Sequence, residues 1–211
     1  MVVEQSVRAA LISLIVAAVA CSSATDAATD GEADPEQIRL PISLYVVIAE
    51  SGGAGSSVRD VEDLTGVGER MVEIWSQAGI ALDVTIVGEI VVPGEVVTAV
   101  AARDGQAFLA SAARGDFDLP DPGEIVGFYV ADAGGVNGFT PFGSRAFFVS
   151  DEPTVHDERV SSHEIGHILG LHHVLDDSSR LMFSGTNGMA LSPDEIAVAR
   201  YAAQGLLDRV R

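Results

Sequence analysis

Residues 163–173 read HEIGHILGLHH, and they contain the pattern His163-Glu164-x-x-His167-x-x-Gly170-x-x-His173. On an α-helix, residues four apart lie one turn from each other on the same face, so His163 and His167 can point imidazole nitrogens at one ion about 2.0–2.1 Å away. Glu164 lies about 100° round the helix from His163, near enough to reach a water on that ion without being a ligand. A straight helix cannot supply a third ligand in the remaining tetrahedral direction. Gly170 removes the obstacle, because glycine tolerates φ > 0 and lets the helix stop and the chain turn back. His173 then meets the ion from the other side. Three neutral imidazoles leave a fourth position for water, which distinguishes a catalytic zinc site from a closed structural one. The five fixed positions are expected by chance on the order of 10⁻⁵ times in a chain of this composition, and three of the chain's five histidines occupy the ligand positions.

Downstream, Leu181-Met182-Phe183-Ser184 begins eight residues beyond His173, and Ser192-Pro193-Asp194-Glu195 places an N-cap serine, a first-turn proline and a capping-box glutamate in order. A final helix to about Asp208 follows, with Ile196, Ala199, Ala203, Leu206 and Leu207 on one face. Upstream, Leu40, Ile42, Leu44, Val46 and Ile48 alternate as along one face of a strand. Val61, Leu64, Val67, Met71, Ile74, Trp75 and Ala78 recur at helical spacing, with Gly66 and Gly68 weakening the middle and Gly79 ending the helix. Leu82, Val84 and Ile86 and then Ile90-Val91-Val92 predict a second strand or strand pair, and a short helix falls near 104–114. The apolar runs at 125–131 and 146–149 flank a glycine-rich stretch and read as an inner strand and an exposed edge strand.

The extended zinc motif resembles that of the metzincin metallopeptidases, which carry a methionine in a tight turn beneath the metal; Met182 fits that role. Leu181-Met182-Phe183 followed by Leu191-Ser192-Pro193-Asp194-Glu195 is similar to the C-terminal pattern of the matrixins. The resemblance implies an α+β, zincin-like fold: a twisted mixed sheet packed on two long helices, with a small C-terminal subdomain holding the Met-turn and final helix. It also implies a zinc endopeptidase in which His163, His167 and His173 hold Zn2+, Glu164 acts as general base and then acid, and Gly170 and Met182 give structural support. Ser184 stands where some metzincins place a tyrosine ligand, so no fifth ligand is expected. A protein or peptide substrate would lie extended along the edge strand near 139–149. Its side chains would be selected by a pocket between the motif helix and Phe183–Ala190. Related enzymes often bind Ca2+, and Asp132, Asp151 and Glu152 are loop acids that could take it, although they show no ligand spacing. His172 is expected to point away from the metal, and His156 to lie near the helix start. Two other readings share the ligand set: a non-catalytic surface lipoprotein that keeps zinc, and a zinc hydrolase of a non-protein amide or ester.

The 211 residues carry 31 acidic and 12 basic side chains, a formal charge of -19, which disfavours nucleic acid and anionic lipid headgroups. With 47% hydrophobic residues, the length suits one globular domain. Residues 9–20, AALISLIVAAVA, have the length of a signal-peptide core, too short to span a bilayer. The expectation is a signal peptide over 1–20, of plain or lipoprotein type, then an acidic, disordered tether over 21–37, then a peptidase domain over 38–211. Cys21, the single cysteine, stands at the cleavage point and suits lipidation. The protein is then extracytoplasmic, secreted or lipid-anchored, touching membrane only through a lipid on Cys21. No coiled-coil repeat argues for assembly, so a monomer is expected.

Overall fold

The computed structural model describes residues 37–53, 55–119 and 124–209. The signal and lipidation expectations, and the tether expectation up to residue 36, fall outside them. Five strands form one mixed sheet in the order β2-β1-β3-β5-β4. They are β1 (Ile38–Ala49), β2 (Ile80–Val92), β3 (Ile125–Val130), β4 (Gly138–Phe139) and β5 (Ala146–Ser150). All pairings are parallel except the last, where β4 runs antiparallel to β5 and forms the edge. The helices are α1 (Val61–Ser76), α2 (Gly94–Ala101), α3 (Gly105–Ala113), α4 (Asp157–Ile168) and α5 (Pro193–Asp208). The long parallel strands make this a mixed α/β arrangement.

Both faces of the sheet are covered, which single-face alternation in β1 does not anticipate. Leu40, Ile42, Leu44 and Val46 join Leu64, Met71 and Trp75 of α1, Ile165 of α4 and Ala199 and Ala203 of α5 in one core. Tyr45 and Val47, of opposite parity and therefore on the opposite face, join Val96 and Val100 of α2 and Phe108 of α3 in a second core. Phe108 is its hub, with ring centroids 5.0 Å from Phe117, 4.7 Å from Phe128 and 5.1 Å from Phe148. Strands buried on both faces read as continuous apolar runs, and all six residues of β3 are buried.

The helix α1 is continuous through Gly66 and Gly68, as the helical spacing implies; Asp60 and Asp63 form a reciprocal capping box at its start, and a side chain at Gly68 would press Val84 at 3.0 Å, so glycine there serves close helix–strand packing. Two other element readings change. The helix α2 has no counterpart in the sequence periodicity, although Val96 and Val100 stand four apart and enter the core. The run at 146–149 is an inner strand rather than the edge: β4 pairs outside it through Gly138–Val149 and Phe139–Phe148.

Arg59 ties the layer carrying the motif together. Its guanidinium forks onto Asp157, the first residue of α4, with Nη1–Oδ2 2.6 Å and Nη2–Oδ1 2.8 Å. Beside it, Asp151 after β5 accepts from Ser57 Oγ at 2.6 Å and from the Val58 amide at 2.8 Å. The entry to α1, the exit of β5 and the start of α4 are thereby joined, and paired partly buried charges are stable only with such complete bonding.

Candidate metal centre

The helix α4 presents His163 and His167 on one face, and its C-terminus is built to bring back a third imidazole. Gly170 has φ +81, the left-handed conformation that glycine adopts without penalty. The Leu171 amide donates to Gly166 O at 2.8 Å and the Gly170 amide to His167 O at 3.1 Å. These are the two bonds of a Schellman motif, and the chain reverses so that His173 faces the helix. The returning segment bridges to the stretch after the motif, with Val174 N donating to Met182 O at 3.1 Å. Met182 is fully buried directly under the helix: a side chain on Gly166 would stand 2.5 Å from its sulfur.

His163, His167 and His173 are the one group of three or more potential ligands among the described residues. His163 Nδ1 lies 2.8 Å from Leu181 O and His167 Nδ1 lies 3.0 Å from Leu171 O. A carbonyl only accepts, so both Nδ1 atoms carry the proton and both Nε2 atoms present lone pairs. Those lone pairs converge with His173 Nε2, which is 3.1 Å from His163 Nε2 and 3.2 Å from His167 Nε2. His173 can donate one proton to one of them at most. A tetrahedral ion with bonds of about 2.0–2.1 Å would separate its ligand nitrogens by roughly 3.3 Å, so the residues present fit Zn2+ and leave one direction free.

Electrostatics favour the ligand state. Burial, opposed by the Leu181 bond and reinforced by the charges of Arg159, His167 and His173, pushes His163 down to about 3. Burial also lowers His167, so both are neutral at physiological pH. Glu164 is 5% exposed. Burial raises its carboxyl to about 7, against the Thr140 hydrogen bond and the charge of Arg159, which hold it down. Thr140 Oγ1 donates to Glu164 Oε2 at 2.9 Å and lies 3.1 Å from Glu164 O. The edge strand comes this close because position 138 is glycine: a Cβ there would meet Phe148 O at 2.7 Å, Val160 Cγ1 at 2.8 Å and Glu164 Cγ at 3.3 Å.

A cavity of about 540 Å³ opens over these groups, walled by Gly135–Thr140, by Arg159, Val160, His163 and Glu164 of α4, and by Ser184 and Gly185. Of the segment Phe183–Ala190, expected with the motif helix to wall a pocket, Ser184 and Gly185 line this cavity. A second cavity, about 890 Å³, shares Thr140 and His167 with the first and is lined by residues 140–145 and the end of α5. His172 is exposed and outside the ligand group. Asp132, Asp151 and Glu152, the acids expected to take calcium, form no group of three potential ligands among the described residues; Asp132 Oδ1 accepts from the Gly134 and Gly135 amides and Asp151 from Ser57 and Val58. His156 is the N-cap of α4, as expected of a residue at the helix start. Sequence reasoning did not find Thr140, whose role depends on the edge strand's path. It also missed Arg159, although its place one turn before His163 on the same helix face was a usable signal.

No family model matches the chain, and no curated protein matches it. Among solved structures, metalloproteinase-II from Bacteroides fragilis aligns over 79% of this chain and 53% of its own, with 19% identity and a TM-score of 0.49. Archaemetzincin from Methanopyrus kandleri aligns over 81% of this chain and 99% of its own, with 18% identity and a TM-score of 0.55. The likeness is one of fold: this chain shares the architecture of archaemetzincin and, within it, carries a three-histidine group able to hold a metal.

Proposed function

We propose that this protein is a zinc-dependent endopeptidase of metzincin type, nearest the matrixins, in which His163, His167 and His173 hold Zn2+ and Glu164 is the general base and acid. The observation that carries the reading is the convergence of two tautomer-fixed Nε2 lone pairs and a third imidazole at 3.1–3.2 Å, beside a buried carboxylate and an open cavity. Zinc bound there supplies Lewis-acid polarisation of a carbonyl and lowers the pKa of water to about 7. Glu164, with its elevated proton affinity, takes the attacking water's proton and passes it to the leaving amine. Thr140 holds Glu164 towards the cavity. A peptide adds backbone to backbone along the edge at Gly138–Phe139, which bounds that cavity. Met182, packed beneath α4 at Gly166, takes the Met-turn role. The apolar run 9–20 and Cys21 support an extracytoplasmic protein, secreted or lipid-anchored, with 38–211 as its peptidase domain.

The test is zinc content and cleavage of a quenched peptide library by the wild type and by Glu164→Ala. Equimolar zinc in both, with cleavage only in the wild type, is expected. A zinc-free wild type, or an equally active variant, overturns the reading.

A further inference from the structure

Arg159 is 3% exposed, yet no carboxylate bonds it among the described residues. Glu164 reaches it only through charge, without a hydrogen bond, so the bonds that its guanidinium does make need a reason. Its Nη2 donates to Leu181 O at 2.8 Å and to Phe183 O, the carbonyls on either side of Met182, while Nε has no partner. Leu181 O is the same oxygen that accepts from His163 Nδ1 at 2.8 Å. One guanidinium therefore spans the backbone beneath the site, and one carbonyl links it to a candidate ligand.

We infer that Arg159 is a positioning residue for the metal centre: by holding the Leu181 and Phe183 carbonyls it sets the angle of the His163 ring and so the direction of its Nε2 lone pair. Outer groups that orient a ligating imidazole typically alter metal affinity 10–100-fold. The alternative, that Arg159 acts on the metal only through its charge, has the opposite sign. A cation a few ångströms from a dication repels it, so removing the charge would tighten binding. The sign of the change thus decides between them.

This inference rests on the zinc reading above but needs no turnover. The experiment measures zinc affinity by chelator competition, and the visible spectrum of the Co2+-loaded protein, for full-length wild type, Arg159→Met and Arg159→Lys, with the melting temperature of each metal-free protein alongside. Arg159→Met is expected to bind zinc at least tenfold more weakly and to shift and weaken the Co2+ bands, a change in ligand geometry that a general loss of stability does not cause. Arg159→Lys, which keeps the charge and one donor group, is expected to fall between the two. It also serves as the readout if the methionine variant does not fold, a loss of threefold or more then being required. Affinity unchanged or tightened in the folded variants overturns the inference. If wild type binds zinc but cleaves nothing, the peptidase reading fails while the affinity comparison still decides the role of Arg159.

Discussion

Replacing Thr140 by valine removes a hydroxyl and almost no volume, so it isolates one hydrogen bond. That bond is 2.9 Å from the hydroxyl to Glu164 Oε2, and it favours the ionised carboxylate, opposing the burial that lifts Glu164 to about 7. A hydrogen bond to a charged group contributes about 1.5–3 kcal/mol. The same hydroxyl also lies 3.1 Å from Glu164 O and divides its proton between two acceptors, which puts the effect at the lower end, about 1.5 kcal/mol, or about one pH unit. Glu164 must be ionised to take a proton, so activity is present above its pKa and lost as pH falls through it. Without the bond the acid is favoured and that loss begins at higher pH. A bound metal's charge lowers the absolute position in both proteins and leaves the difference. The assay is kcat/KM against pH between 5 and 9 for wild type, Thr140→Val and Thr140→Ser. The acid limb of Thr140→Val should move up by about one unit, and Thr140→Ser should stay near the wild type. An unmoved limb, or one displaced downwards, refutes the role given to Thr140.

Gly170→Ala should lower stability by about 1–2 kcal/mol, the cost of a left-handed conformation for a residue with a Cβ, because its side chain would meet only Val198 Cγ1 at an ordinary 3.8 Å. Gly170→Asn should recover much of the loss in urea titration; if both fail equally, crowding rather than backbone conformation is the cause. Gly138→Ala forces the edge strand away from Phe148 O and Glu164 and should reduce kcat/KM tenfold or more with zinc content unchanged; full activity would show that the edge can move without consequence. Arg59→Met strands Asp157, whose side chain is 21% exposed, and should shift the urea midpoint by an equivalent of about 2 kcal/mol; an unchanged midpoint would show that the joint between α1, β5 and α4 is dispensable.

The legible parts of this protein were those encoded by local spacing. The His163–His173 pattern, the reversal at Gly170 and the Ser192–Glu195 cap each depend on a few residues and on helix geometry, and the structure shows the Schellman bonds and the capping box that this spacing implies. What escaped depends on packing between distant elements. The second core was hidden because Tyr45 and Val47 are interpretable only once α2 and α3 lie on that face. The run 146–149 looked like an edge because β4, only two residues long, carries no periodicity of its own. Thr140 bonds a carboxylate 24 residues away and Arg159 a carbonyl 22 residues away, separations that composition and spacing do not report.

The central claim concerns three imidazole nitrogens around one zinc ion, and zinc-edge X-ray absorption on the zinc-loaded protein addresses it directly. The account predicts one zinc per chain with three histidine nitrogens at about 2.0–2.1 Å and a remaining light-atom ligand. A shell with fewer than three imidazoles, or an unchanged shell after His173→Ala, would contradict it.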